Sequence, residues 1–222
     1  MRINADFSKR VAVHSSQMEW VRSPMPGVER RMLDRIGAEV ARATSIVRYA
    51  PGSTFSAHTH DGGEEFLVLE GVFQDEHGDY PVGSYIRNPP TSSHTPGSQL
   101  GCVIFVKLHQ FDLADRHSVR IRSAEIEPIA LADKEGIAVV PLYHDAREDV
   151  RIEVWDPSVA ITARTYGGLE IFVVDGGFGE SGENFPKHSW LRLPAGGTLE
   201  AVAGPSGARV WIKSGHLLHV HD

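Results

Sequence analysis

Three histidines and a glutamate are spaced along the chain in a way that indicates a metal site. The segment carrying the first three reads Gly52-Ser-Thr-Phe-Ser-Ala-His58-Thr-His60-Asp-Gly-Gly-Glu64-Glu65, and His94 follows thirty residues after Glu64. Side chains alternate between the two faces of a strand, so His58 and His60 point the same way. The Asp61-Gly62-Gly63 turn then reverses the chain and presents Glu64 toward them.

Such a donor set suits a divalent cation. Three neutral imidazoles and one carboxylate supply four donors and leave a residual positive charge at the centre. We therefore expect one divalent metal ion per chain and a site that attracts a small anionic or chelating ligand. Four ligands at about 2.0 to 2.2 Å saturate tetrahedral zinc. Iron, manganese or nickel would keep two further positions for ligands, so the metal stays open, with zinc preferred.

The spacing resembles the first cupin motif at each fixed point: a glycine, five residues, His-x-His, three residues, Glu, six residues and Gly71. Residues 81–94, from Pro81-Val82-Gly83 through Asn88-Pro89-Pro90 to the histidine, resemble the second motif. The resemblance implies that the metal ligands are His58, His60, Glu64 and His94. It favours Glu64 over its neighbour Glu65, because adjacent strand residues cannot both face one ion. No catalytic residue is assigned.

The elements that position these residues are expected to be strands. Twenty-two glycines and thirteen prolines, with short runs of Val, Ile, Phe and Thr between them, are typical of an all-β protein with many turns. The 222 residues, 41% of them apolar, can bury one large core or two smaller ones. The cupin resemblance implies antiparallel jelly-roll β-barrels, whose closure would bring His94 beside His58.

The sequence also repeats itself after about 106 residues. Residues 49–60 align without gaps with residues 155–166, and residues 62–71 align with residues 167–176. In this alignment the four ligand positions become Arg164, Tyr166, Leu169 and Leu199. Arginine stays protonated and leucine has no donor atom, so the second copy is not expected to bind a metal. We therefore predict two tandem cupin domains, a metal-binding one over residues 1–122 and a degenerate one over residues 123–222.

Two structures fit residues 28–42. Val28, Met32, Ile36 and Val40 recur every four residues, as in a helix. A hairpin turning at residues 36–38 is the alternative, and the cupin resemblance favours it. Outside the motif, Tyr49, Tyr85 and Arg87 are further candidates for a pocket, although packing and strand-edge roles also account for them.

Composition limits the partners and the compartment. A net charge of -7 argues against general nucleic-acid binding but allows an acidic surface that docks a basic protein. The single Cys102 excludes an intramolecular disulfide and a cysteine-based zinc site. Without a long apolar stretch near the N-terminus, we expect no signal peptide, no membrane span and a cytoplasmic protein. Edge strands of cupins commonly pair between subunits, so a homodimer is expected.

A narrower resemblance covers residues 28–110. The string from Gly62 to Phe73, with Asp75-Glu76-His77-Gly78-Asp79-Tyr80 and residues 81–90, is similar to the cupin domain of ChrR anti-sigma factors. In that family a zinc-binding helical domain captures an extracytoplasmic-function sigma factor, and the cupin domain senses oxidative stress such as singlet oxygen. The zinc motif of the helical domain, His-x3-Cys-x2-Cys, does not occur before Cys102.

Two functions follow from the resemblance. The first is a metal-bound sensory or regulatory cupin, with a protein of a sigma-factor pathway as partner. The second is a non-haem metal dioxygenase that cleaves C–C bonds of β-diketones or hydroxyacetophenones, which similar cupins do. The dioxygenase needs open coordination positions, because no separate nucleophile or phosphate-binding loop is recognisable.

Overall fold

The computed structural model describes residues 1–38 and 40–220. The chain separates into two compact units, the first comprising residues 1–5 and 19–125 and the second residues 6–18 and those from 126 onward. The described residues form strands and three short 3-10 turns, with no α-helix among them. The all-β class predicted from composition is therefore confirmed.

The strands of the first unit share antiparallel pairing throughout. They are β1 (Arg2–Ile3), β3 (Val21–Arg22), β4 (Val28–Gly37), β5 (Ala41–Tyr49), β6 (Ser53–Thr54), β7 (His58–Thr59), β8 (Glu64–Asp75), β9 (Gly78–Pro81), β10 (Ser84–Asn88), β11 (Ser93–His94), β12 (Gly97–Ser98), β13 (Cys102–Leu108) and β14 (Val119–Arg122), followed by a 3-10 turn at Ser123–Glu125.

The second unit contains β2 (Val11–His14), β15 (Ile129–Ala130), β16 (Ile137–His144), β17 (Asp149–Trp155), β18 (Ala160–Thr165), β19 (Leu169–Glu180), β20 (Glu183–Pro186), β21 (Ser189–Leu193) and β22 (Gly197–Ser214), with 3-10 turns at Ser15–Gln17 and His216–His219.

The main sheets of the two units have the same strand order. In the first unit the order is β1-β4-β5-β13-β8-β10-β14, and β7 and β11 form a separate two-stranded ribbon. In the second unit the order is β15-β16-β17-β22-β19-β21-β2. The strands that carry the sequence repeat, β5, β8, β10 and β13, thus occupy the same places in their sheet as β17, β19, β21 and β22, whereas the edge strands β14 and β2 come from outside the repeat.

The position of β2 differs from the simple domain limits drawn from the sequence. Residues 11–14 pair with residues 189–192 of β21, so residues 6–18 lie with the second unit although they precede the first unit in the chain. Likewise β14 pairs with β10 and keeps residues 119–125 in the first unit. The predicted domains, residues 1–122 and 123–222, therefore stay a prediction. The two compact units differ from them at residues 6–18, which lie in the second unit, and at residues 123–125, which lie in the first.

Residues 28–42 form a hairpin and not a helix. Strand β4 pairs with β5 from Val28 opposite Tyr49 to Gly37 opposite Ala41, with a bulge between Met32 and Asp34. Ile36 and Gly37 still pair with Arg42 and Ala41, so the strands separate after Gly37 and the turn lies later than the predicted one at residues 36–38. Glu39 lies outside the described residues. Val28 and Met32 share one face of β4, but the bulge moves Ile36 to the other face and Val40 lies beyond the strand, so the period of four does not follow one face in the structure.

Each unit has its own apolar interior. In the first unit, the core contains Phe66, Val68, Phe73, Tyr80, Ile86, Cys102, Ile104 and Val106. The Cys102 thiol is part of this core, and burial raises its pKa to about 11, as expected for a structural thiol. Among residues 1–38 and 40–220, no helix has the length and apolar character needed to cross a membrane.

Candidate metal centre

The ribbon formed by β7 and β11 brings the three histidines together. His94 lies directly opposite His58 in the antiparallel pairing, and their ring centroids are 4.9 Å apart. The His60 ring lies 5.1 Å from that of His58 and 4.6 Å from that of His94. One ring nitrogen from each histidine lies within 4.8 Å of the others, so the three can hold a metal ion. We call His58, His60 and His94 the histidine cluster.

The Nδ1 atom of each ring is occupied by a neighbouring oxygen. For His58 the partner is the Ser56 carbonyl oxygen at 3.3 Å, and for His60 it is the Ser92 hydroxyl at 3.0 Å. The Nδ1 atom of His94 lies 3.3 Å from Oδ2 of Asp75. Contacts of this kind fix the tautomer and orientation of a metal-binding imidazole and direct Nε2 toward the ion.

The Nε2 atoms provide a test of whether these residues suit a metal. Those of His60 and His94 are buried and make no hydrogen bond of good geometry, and the nearest acceptor is Oε2 of Glu64, 3.3 and 3.6 Å away. A buried nitrogen without a partner costs about 1 to 3 kcal/mol, and two of them beside one another are rare in a protein interior. A divalent cation between the rings would satisfy both lone pairs. The donor set therefore fits a metal.

Glu64 approaches the cluster without being equidistant from its members. Its Oε2 lies 3.3 Å from Nε2 of His60 and 3.6 Å from Nε2 of His94. Asn88, which pairs with Glu64 across β10 and β8, donates a hydrogen bond of 3.2 Å to the same oxygen. Among the described residues, the three histidines alone form a group whose ligand atoms all lie within 4.8 Å of one another. Glu64 as the fourth ligand therefore stays a prediction, which this placement supports.

Neighbouring Glu65 occupies a different environment. Tyr85 donates a hydrogen bond of 2.7 Å to Oε2 of Glu65, and both residues are buried. This contact agrees with the alternation of side chains along β8, which separates residues 64 and 65 onto opposite faces.

The charges at the site favour an ionised Glu64 and a neutral His58, whereas they raise the pKa of His94. Burial raises the pKa of Glu64, but the contact and charge of His60 and the charge of His94 outweigh burial and hold that pKa below its usual value. Burial, helped by the other two histidines, lowers the pKa of His58. For His94, burial opposes the effect of Asp75 and Glu64, and these two carboxylates raise the pKa overall.

The Gly62-Gly63 turn is required because another segment packs against it. A Cβ at Gly62 would lie 2.3 Å from Nδ1 of His109, and one at Gly63 would lie 2.4 Å from the Phe111 ring. Gly63 also has a φ of +76°, a left-handed conformation that favours glycine. Backbone N–H groups of His109 and Phe111 donate to the carbonyls of the two glycines. Packing and hydrogen bonds of His109 and Phe111 therefore hold the turn that precedes Glu64.

A cavity of about 190 Å³ adjoins the centre within the first unit. Its lining includes His58 and Glu64 together with apolar side chains such as Phe55, Ile104 and Leu108. At roughly 30 Å³ per water molecule, the cavity would hold about six. It therefore has room for a small ligand beside the histidine cluster.

The other pocket candidates fall into two groups. Tyr49 lines the cavity, and burial with the charge of Glu64 raises its pKa well above the ordinary value. Tyr85 instead contacts Glu65, and Arg87 pairs with Asp115 at 2.6 Å and stacks 4.0 Å over Phe111. These last two residues hold loops and strands in place rather than lining the cavity.

Sequence reasoning missed Asp75 and Ser92, which position the histidines. Asp75 ends β8 before a Glu-His-Gly turn, and its Oδ1 also accepts from the His77 N–H at 2.8 Å and from Tyr80 Oη at 3.1 Å. An aspartate before a glycine turn is expected from turn chemistry alone. Nothing in its spacing indicated a role beside His94, nineteen residues away.

In the second unit the corresponding positions are apolar or exposed. Leu169 and Leu199 are buried in a core with Ile161, whereas Tyr166 is exposed. In the first unit His58 pairs with His94. In the second unit Leu199, the counterpart of His94, pairs with Ala163 and not with Arg164, the counterpart of His58. Within the described part of the chain, the histidine cluster is the only group arranged to hold a metal.

An antiparallel sheet with His-x-His, a glutamate and a distant histidine gathered at an internal cavity defines a cupin. The chain has the fold of the cupins. Its residues 8–112 match the ChrR cupin-like domain, which is the narrower family indicated by the sequence. Among proteins of curated function, none matches this sequence.

Solved structures with the same fold extend over most of the chain. A putative dioxygenase from Nostoc punctiforme is 14% identical, with a TM-score of 0.76, covering 96% of this chain and 85% of its own. A putative glyoxylate-induced protein from Pseudomonas aeruginosa is 14% identical, with a TM-score of 0.73 and coverages of 96% and 90%. A bacterial pirin from Escherichia coli in complex with nickel(II) is 13% identical, with a TM-score of 0.66 and coverages of 93% and 98%. At these identities the similarity shows the fold alone.

Proposed function

We propose that this chain is a metal-binding sensory or regulatory cupin of the ChrR type. It holds one divalent ion with His58, His60, Glu64 and His94. Zinc is preferred, because four protein donors complete a tetrahedron, and iron, manganese and nickel are the other candidates. A bound ion would supply Lewis acidity and positive charge next to the cavity.

One observation carries the proposal. The Nε2 atoms of His60 and His94 are buried without a hydrogen bond of good geometry, while the opposite nitrogen of each ring is held by Ser92 or Asp75. A ring held in this way presents a lone pair at a fixed place. Structural histidines in a core would be expected to use both nitrogens.

The chain's own residues would tune the centre. Asp75 increases the basicity of His94, and Asn88 orients the Glu64 carboxylate by its hydrogen bond. Apolar side chains line part of the cavity, and His60, Glu64 and His94 are buried, whereas His58 is exposed. A ligand entering the cavity would therefore meet a partly dehydrated centre, where electrostatic interactions are stronger than in bulk water.

The biological setting is part of the proposal and rests on the ChrR resemblance. A cytoplasmic protein acting as a homodimer, with a protein of a sigma-factor stress pathway as partner and without direct nucleic-acid contact, would fit a net charge of -7. Copurification with an extracytoplasmic-function sigma factor or its anti-sigma partner tests this part separately. Failure to recover either protein under stress and non-stress conditions would contradict it.

Metal content measured on protein purified without added metals tests the site directly. We expect about one equivalent in the wild type and a loss of most of it in His60→Ala, because that substitution removes one donor from the cluster. His144→Ala is the matched control, since this histidine lies in the second unit and its side chain is 77% exposed. Equal metal content in wild type and His60→Ala would contradict the assignment.

The same preparation distinguishes sensing from oxygen chemistry. Bound zinc without O₂ consumption supports a regulatory cupin. Bound iron together with O₂ consumption on β-diketones or hydroxyacetophenones would replace the regulatory proposal with the dioxygenase alternative.

A further inference from the structure

Two arginines of β4, Arg30 and Arg35, line the cavity of the first unit. Arg30 lines the cavity from β4, together with apolar residues of three other segments, among them Val47, Phe55 and Ile104. Neither the cupin motifs nor the sequence repeat pointed to Arg30. Its position invites a functional explanation, because arginine rarely faces an apolar interior without a partner.

The sheet register explains why Arg30 faces inward. It pairs with Val47, which pairs in turn with Ile104 and then Val68, so these residues form one row across the inner face. Val28 pairs with Tyr49 in the adjacent inward row. By alternation, Glu29 and Arg31 face the opposite side, where Glu29 accepts from Arg48 and Arg31 stacks 4.3 Å over Trp20.

Arg30 lacks the anionic partner that such a placement normally requires. Its Nε atom is buried without a hydrogen bond. Within residues 1–38 and 40–220, neither an ion pair nor a hydrogen bond of the Arg30 side chain is found. Arg35, the second arginine in the lining, differs because it donates to the Ala38 carbonyl. Arg30 is only partly buried, so water solvates its guanidinium in the cavity, and a bound anion would replace that water with a charged hydrogen-bonded pair.

The charges of the cavity are separated along the strands. Glu64 pairs with Leu108, and Arg30 is in the row of Ile104, so the two rows are four residues apart on β13. At about 3.3 Å per residue this separation is about 13 Å along the strand. Arg35 pairs with Ala43 and so lies in the row of Leu108 and Glu64, where it donates to the Ala38 carbonyl. Arg30 is therefore the arginine at the end of the cavity away from His58 and Glu64, with apolar walls between.

We propose that Arg30 is the anion-binding residue of this cavity and that the ligand is a small organic acid with an apolar body. Its carboxylate pairs with the Arg30 guanidinium, a geometry that permits two parallel hydrogen bonds. The apolar body lies against the row of Val47 and Ile104, and its far end faces the histidine cluster. The last part rests on the proposed function, whereas the pairing with Arg30 does not.

Benzoate is a suitable probe, with benzamide as the neutral molecule of the same shape. Titration calorimetry is carried out on the wild type, Arg30→Met and Arg31→Met, each in metal-loaded and chelator-treated form. We expect benzoate to bind the wild type and Arg31→Met alike, and Arg30→Met about ten- to a hundredfold more weakly, because a charged hydrogen-bonded pair is lost. Benzamide should bind all three proteins weakly.

Thermal unfolding without ligand provides a second, binding-independent readout. Arg30→Met should leave the midpoint unchanged or raise it, because a partly buried cation without an ion pair is replaced by a side chain that packs with the apolar walls. Arg31→Met should not raise it, because that change removes the contact with Trp20.

The outcomes separate this proposal from the metal site. Equal benzoate affinity in wild type and Arg30→Met, absence of benzoate binding to the wild type, or a lower unfolding midpoint in Arg30→Met would each overturn the anion site. Loss of the metal site alone would appear as absent metal in the wild type, with benzoate still bound through Arg30 in the chelator-treated protein.

Discussion

The contact between Asp75 and His94 gives the most informative prediction about the metal centre. Asp75→Asn keeps the size of the side chain and an oxygen that can accept from the His77 N–H, but it removes the negative charge 3.3 Å from Nδ1 of His94. The imidazole then loses the acceptor that makes it more basic. We expect the protein to fold normally and to bind metal more weakly.

The magnitude follows from the type of contact. A hydrogen bond to a charged group contributes about 1.5 to 3 kcal/mol, and one between neutral groups about 0.5 to 1.5 kcal/mol. The difference, about 1 to 1.5 kcal/mol, corresponds to roughly a tenfold loss of zinc affinity. This value lies at the lower end of the roughly 10- to 100-fold effects seen when partners of metal-binding histidines are changed.

Competition with a chromophoric zinc chelator measures the effect. Tyr80→Phe is the control, since it removes the 3.1 Å hydrogen bond of Tyr80 Oη to Oδ1 of Asp75 but leaves the carboxylate charge in place. Zinc affinity in Tyr80→Phe should stay within about twofold to threefold of the wild type. An unchanged affinity in Asp75→Asn, or an equal loss in both variants, would refute a role of the Asp75 charge in metal binding.

Two further predictions concern stability within the first unit. Burial opposes ionisation of Asp115, but the His117 N–H and the Arg87 guanidinium outweigh it and hold the pKa of Asp115 below its usual value. The stabilisation is therefore complete above about pH 4 and is lost as pH falls through the lower folded-state pKa. Asp115→Asn should destabilise by about 3 kcal/mol at pH 7 in urea unfolding, with a smaller difference at lower pH; a difference that does not change with pH would count against this account. Gly71→Ala should destabilise by about 2 to 4 kcal/mol, because its φ is +69° and a Cβ would lie 2.0 Å from the Gly101 carbonyl oxygen. Gly52→Ala, with a φ of +75° and open space around it, should cost only about 1 to 2 kcal/mol, and equal losses in the two variants would exclude the contact as the cause.

The hairpin at residues 28–42 illustrates where sequence patterns are ambiguous. Apolar residues every four positions satisfy both a helix and one face of a strand, so the period alone could not choose. In the structure, β5 pairs with β4 on one side and β13 on the other, and this central position requires extended chain. Pairing with β13, a strand distant in the sequence, favours the hairpin over the helix, and a local pattern contains no information about that pairing.

The roles of Asp75 and Arg30 could not be predicted for a related reason. Each residue has an ordinary local explanation, Asp75 as a turn residue and Arg30 as one of two consecutive arginines on a half-buried strand. Their importance arises only when β8 approaches β11 and when β4 forms one wall of the cavity. Neither approach leaves a signal in residue spacing.

The amino-acid sequence by itself determined the all-β class, the repeated strand pattern and the types of ligand available to a metal. These features follow from alternation, turn chemistry and donor atoms, which act over a few residues. Only the tertiary structure decided that His94 lies opposite His58, that β2 completes the second unit, and that Arg30 faces the cavity. These arrangements depend on which strands pair, and pairing is selected by the burial of whole apolar faces rather than by any single segment.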